Sequence, residues 1–207
     1  MRTTRLEAFS DGVLAVIITI MVLELKAPEG DDLHALGGAG TTFLSYLLSF
    51  VYIGIYWNNH HHMFQVVERV SGTVLWANLH LLFWLSLLPA TTAWAEESGF
   101  ARLPVLVYGA DLLLAAIAYL GMQYAIYRTD GGRALREALG SDVKGKASIA
   151  CYLTGIALAF VATWLAMAAY TVVAVIWLVP DRRVERYLAA RDAAHAGTGA
   201  AARPLPD

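Results

Sequence analysis

The sequence predicts an all-α integral membrane protein with six transmembrane helices, and three observations carry that prediction. Of 207 residues, 58% are hydrophobic and 15% charged, against roughly 45–50% and 25% in soluble chains. The apolar residues gather in runs long enough to cross a bilayer, which takes about 20 residues. Lysines and arginines cluster between the runs in a way that assigns sides. This composition argues against a soluble enzyme, and the net charge of −2 gives no basic field for nucleic acid. The lone Cys151 removes any intrachain disulfide framework and any Cys-rich metal site.

The first expected span, 6–25, contains Asp11 and Glu24 and lacks a small-residue cleavage site, so it does not read as a signal peptide. The loop from Lys26 to Gly40 is acidic and glycine-rich and reads as an external connection. Spans two to four are expected at 41–65, 73–94 and 103–127. Pro89 is expected to kink the third. The apolar run from Ala147 to Val179 is too long for one crossing: as a single helix it would reach roughly 50 Å, against about 30 Å of hydrocarbon.

Charge resolves that run. Arg128, Arg133, Arg136, Lys144 and Lys146 precede it, and Arg182, Arg183, Arg186, Arg191 and Arg203 follow it. Both groups belong on the cytoplasmic side, so an even number of crossings separates them. Two short spans, 147–162 and 164–180, satisfy this, meeting near Thr163. Arg2, Arg5 and Arg69 fall on the same side, which leaves only Lys26 and Arg102 of 15 basic residues outside. The expected organisation is a six-helix membrane domain over 1–190 with both termini cytoplasmic. Residues 191–207, rich in Ala, Gly and Pro, read as a disordered cytoplasmic tail.

Polar groups within spans are costly and mark function by default. On a wheel of about 100° per residue, Gly12, Val16, Thr19, Ile20 and Leu23 form one narrow stripe on span one, with Asp11 pointing away from it. Spacing alone reads the stripe as a packing face. Span two closes on Trp57-Asn58-Asn59-His60-His61-His62. Adjacent histidines point about 100° apart and lack the i, i+4 spacing of helical ligand pairs, so no metal site is expected. One or two of them are expected to meet Asp11 or Arg5, which lie at the same membrane face. Asn78, His80 and Asp111 are expected to make interhelical hydrogen bonds. No nucleophile elbow, phosphate loop, zinc-protease helix or CxxC pair occurs, so no enzyme activity and no cofactor are expected. The Thr-Val-Gly-Tyr-Gly carbonyl filter is missing too.

Several of these motifs resemble the transmembrane protein 175 family of potassium channels. They are Arg5-x-x-x-Phe9-Ser10-Asp11-Gly12, Trp57-x-x-His60-His61-x-x-Phe64, Asn78 with Ser86-Leu87-Leu88-Pro89, and Trp177-Leu178-Val179-Pro180-Asp181-Arg182-Arg183. They occur in family order across nearly the whole chain, whose length fits the single-repeat prokaryotic members. The resemblance implies a potassium-preferring channel in a bacterial plasma membrane, passing K+ and other monovalent cations. It implies a homotetramer of six-span subunits in which span one of each lines a central pore. It places a hydrophobic constriction on Val16, Thr19, Ile20 and Leu23, which turns the derived stripe into a pore face. It also implies a polar network of Arg5, Ser10, Asp11 and His60 or His61 that ties span one to its neighbours. The family usually has Ile or Leu where this chain has Val16, so either a wider valine ring or Ile20 or Leu23 is narrowest.

Two other functions compete. A secondary transporter would use Asp11, Asp111 and the histidines as coupling sites, but such proteins show repeats and broken helices near the midplane that are not evident here. A metal-dependent membrane enzyme would want dispersed His or Glu ligands, which the chain lacks.

Overall fold

The computed structural model describes residues 3–28, 30–33, 37, 39–65, 67, 70–129, 132, 136 and 142–178. These residues form six principal helices: α1 (Thr3–Leu23), α2 (Gly40–Gln65), α3 (Gly72–Glu97), α4 (Arg102–Tyr127), α5 (Val143–Leu158) and α6 (Thr163–Leu178). There is no strand among the described residues. The expected tail at 191–207, Arg69, Arg133, Glu29 and the 179–183 motif lie outside them.

Helices α1 to α4 are each long and apolar enough to cross a membrane, and α6 is a shorter apolar helix. The 147–179 run is divided, with a turn at 159–162 between α5 and α6. No Gly or Pro marks this turn. It is closed by backbone bonds from Phe160, Val161 and Ala162 to Ala157 and Leu158 carbonyls. Each of the two helices has 16 residues, about 24 Å of rise, so each is short for the hydrocarbon.

Local chemistry sets the ends. The Ser71 hydroxyl accepts from the Val74 amide and starts α3, and Asp142 accepts from the Gly145 amide to start α5. These are the side-chain caps that satisfy orphan first-turn donors. Between α3 and α4 the chain reverses through Gly99 and Phe100, both at positive φ (63° and 59°). Phe100 adopts this unusual conformation while packing against the core, and its amide donates to the Ala95 carbonyl. Pro89 lies inside α3 without ending it.

The most extensive packing is between α3 and α4, followed by the α5–α6 hairpin. Close packing needs small residues, and Gly109 and Gly155 supply them: a Cβ on either would collide with Tyr170. Among the described residues, helix α1 packs mainly on α2 and α3 through Leu6, Leu14, Ile17 and Met21. That arrangement leaves more than half of its circumference uncovered.

Candidate functional site

The uncovered face of α1 carries the stripe. Val16 is 55% exposed, Ile20 43% and Leu23 81%, and Gly12, Ala15 and Thr19 are exposed beside them. Leu6, Leu14, Ile17 and Met21 on the opposite face are 2–3% exposed. The Thr19 hydroxyl donates to the Val16 carbonyl at 2.8 Å. Its polar atom is thereby turned onto its own backbone, and the stripe stays apolar from Val16 to Leu23. Among the described residues nothing covers it, so they give it no packing partner within one subunit.

The N-terminal half of α1 meets two polar groups instead of the single cluster expected. The inner one is buried: the Asn78 amide nitrogen donates to Ser10 Oγ at 3.0 Å, and Asn78 Oδ1 lies 2.8 Å from His60 Nε2. Ser10 Oγ in turn donates to the Leu6 carbonyl at 2.9 Å. Three helices, α1, α2 and α3, are thus tied at one level by neutral groups, and His60 also packs on Phe64 at 4.6 Å between ring centroids. The outer group is exposed. Asp11 Oδ1 accepts from Trp57 Nε1 at 3.0 Å, His61 stacks on Trp57, and His61 Nδ1 lies 3.7 Å from Glu7 Oε1. Gln65 reaches the other His61 nitrogen at 2.9 Å.

This corrects the expected Arg5–Asp11–histidine contact. Asp11 is bonded to an indole, and neither Arg5 nor a histidine bonds it among the described residues. Arg5 is exposed and joins neither group. The physical reason is the side of the helix: Asp11 lies off the packed face and is exposed on the subunit, where the Trp57 indole N–H gives its carboxylate a donor. Ser10 and His60, on the packed face, need partners that carry no charge, and Asn78 supplies both a donor and an acceptor. Glu7 was missed by sequence reasoning, although it sits one turn before Asp11 on the same flank.

Two other polar expectations divide. Asp111 makes its interhelical bond, Oδ2 to Thr91 Oγ1 at 3.0 Å. His80 does not: it accepts from Trp84 Nε1 on its own helix at 2.9 Å. Among the described residues, no group of three His, Cys, Asp or Glu is placed to hold a metal. Beyond the C-terminal end of α1, exposed Lys26 pairs with Glu97. The hydrogen bond to Glu97 and then its charge raise the Lys26 ammonium above the ordinary lysine range.

Comparison with known proteins follows the same residues. Positions 5–89, which contain nearly all of α1, the whole of α2 and most of α3, match the family described as the endosomal/lysosomal potassium channel TMEM175. A protein named as a potassium channel in Chryseobacterium sp. (strain P1-3) is 54% identical over 185 residues, covering 89% of this chain and 96% of that protein. One named as a potassium channel in Streptomyces collinus is 35% identical over 133 residues, covering 60% of this chain and 65% of that protein. A crystal structure described as a lysosomal potassium-selective channel TMEM175 homolog from Chamaesiphon minutus is similar with a TM-score of 0.73. It is 30% identical and covers 86% of this chain and 96% of that one.

Proposed function

The chain belongs to the TMEM175 potassium-channel family, and from that premise we propose that it conducts K+ passively through a pore built by several copies of α1. It is a multi-pass membrane protein, and our reading places it in a bacterial plasma membrane with both termini cytoplasmic. The observation that carries the pore is the α1 stripe, apolar and open to the outside of the subunit from Gly12 to Leu23.

The argument is geometric. One apolar stripe cannot surround an ion, so identical stripes must face each other around an axis. A closed ring is the solution for identical head-to-tail contacts, and four copies follow the family resemblance. Side chains of Val16, Ile20 and Leu23 then narrow the path, with Thr19 between them. An apolar constriction controls flow by excluding water when narrow, so it acts on every permeant ion and needs no carbonyl ring. Monovalent cations other than K+ compete in the same path, and no cofactor takes part.

The buried Ser10–Asn78–His60 group sets the angle at which α1 leaves the body of the subunit. The exposed Glu24, Asp31 and Asp32 repeat around the outer mouth and raise the local cation concentration. Reconstitution of the purified chain in planar bilayers tests the reading. Discrete single-channel K+ currents are expected, together with a native mass of four subunits. Saturating, coupled flux without unitary currents would favour a transporter instead.

A further inference from the structure

We propose that the outward stripe of α3 is the seam at which one subunit meets the next, and that His80 donates a hydrogen bond across it to Asn58 of a second copy. This rests on the multi-subunit pore proposed above and names the contact that builds it. Trp76, Leu79, His80, Phe83, Ser86 and Ala90 are all exposed on α3, one above another at helical spacing. Such a face could meet lipid or protein, and the imidazole decides between them.

An indole N–H can only donate. The His80 nitrogen 2.9 Å from Trp84 Nε1 is therefore an acceptor and carries no proton. In a neutral imidazole the proton then sits on the other nitrogen, whose N–H has no partner among the described residues. His80 lies eight residues into α3 from Gly72, about 12 Å along the axis. The helix has 26 residues, about 39 Å, so centring it on roughly 30 Å of hydrocarbon puts His80 well inside. A donor facing acyl chains there has nothing to bond, and such groups are avoided in lipid. The stripe is therefore covered by protein.

The subunit's own register identifies the acceptor. Helices α2 and α3 run antiparallel, and the His60–Asn78 bond fixes their relative depth. Two residues further along α3, and two residues back along α2, His80 is level with Asn58. Asn58 is partly exposed and its amide has no hydrogen bond among the described residues, although its neighbour Asn59 donates to the Ile55 carbonyl. Rotation about an axis normal to the membrane preserves depth, so His80 of one copy and Asn58 of another stand at one level in any ring. Helix α1 packs on both α2 and α3, so the seam continues directly from the flanks of the pore helix. A lone donor and a lone acceptor at matched depth are the complementary pair that a head-to-tail contact needs.

The test uses the full chain with Cys151→Ser. One batch carries His80→Cys and one tag, another carries Asn58→Cys and a second tag, and the two are co-expressed in one membrane. A short bis-maleimide should join the two tags in one band, and neither single variant expressed alone should cross-link to itself. A particle that keeps its multimeric mass but gives no mixed band overturns the seam and leaves the pore reading intact. A wild-type particle of monomeric mass overturns the pore reading as well. As a second readout without cysteines, His80→Gln, which keeps a donor, should hold the assembled fraction, while His80→Leu should lower it several-fold. Equal assembly of His80→Leu and wild type contradicts the hydrogen bond.

Discussion

The two faces of α1 are made of the same kinds of residue and have opposite fates. Leu14, Ile17 and Met21 are buried against α2 and α3, while Val16, Ile20 and Leu23, each one or two positions away, are open. In a soluble protein an exposed aliphatic stripe of this length would be an anomaly or an interaction site. In a membrane helix it has two possible covers, lipid or other copies. What separates the faces is their neighbours along the chain: the buried side is continuous with Ser10, bonded to Asn78, and the open side is continuous with the exposed Gly12. Apolar character therefore says that a position avoids water, and the polar groups at the helix end say which side is the inside of the subunit.

Substitution should separate the faces by kind of damage. The largest loss of stability is expected on the buried face: Leu14→Ala or Ile17→Ala leaves a cavity, typically costing about 2–5 kcal/mol. Folded yield and thermal midpoint in detergent should fall, with K+ over Na+ preference unchanged in the surviving channels. Gly109→Ala comes next, because its Cβ collides with the Tyr170 side chain between α4 and α6. Overpacking of this kind costs about 1–3 kcal/mol, and the thermal midpoint should drop without any change in unitary current.

The inner polar group gives a smaller effect. A double-mutant cycle on His60→Ala and Asn78→Ala should return a coupling of about 0.6–1.7 kcal/mol, the range found for hydrogen bonds between membrane helices. A cycle on Arg5→Ala and Asp11→Ala should return none, since the two are not bonded. Coupling between Arg5 and Asp11 as strong as that between His60 and Asn78 would contradict the division into an inner and an outer group.

The smallest effect belongs to the exposed Lys26–Glu97 pair. Its partner raises the Lys26 ammonium, so any contribution is present below the ordinary lysine range near 10.4 and is lost as pH rises through the raised value. Being fully exposed, it should also fade with salt. Thermal midpoints of wild type and Lys26→Ala should therefore converge at high pH or high ionic strength.

Much of this was legible in the sequence, for reasons that differ by residue. The break in the 147–179 run was legible because its length exceeds one crossing, and a turn at 159–162 divides it. The stripe from Gly12 to Leu23 was legible as a face because helical spacing fixes it. Whether it was inside or outside was not, since both sides of α1 are equally apolar. Partner choice in the N-terminal half of α1 was misread for a different reason. Opposite charges in sequence suggested an Arg5–Asp11–histidine contact, but hydrogen bonding there follows the face of the helix. Ser10 and His60 on the buried side take the neutral Asn78, and Asp11 on the exposed side takes the Trp57 indole. Similarly, nothing in spacing said that His80 would accept from Trp84 on its own helix, because i and i+4 neighbours and partners on other helices compete for the same ring.

The most direct measurement of the central claim is single-channel recording of Ile20→Asn and Leu23→Asn beside wild type, under symmetrical and mixed K+ and Na+. If the open stripe of α1 lines the pore, a polar amide in the constriction favours its wetting. Unitary current should then rise and the preference for K+ over Na+ should weaken. Wild-type conductance and selectivity in both variants would contradict the account and leave the stripe as a surface covered by lipid.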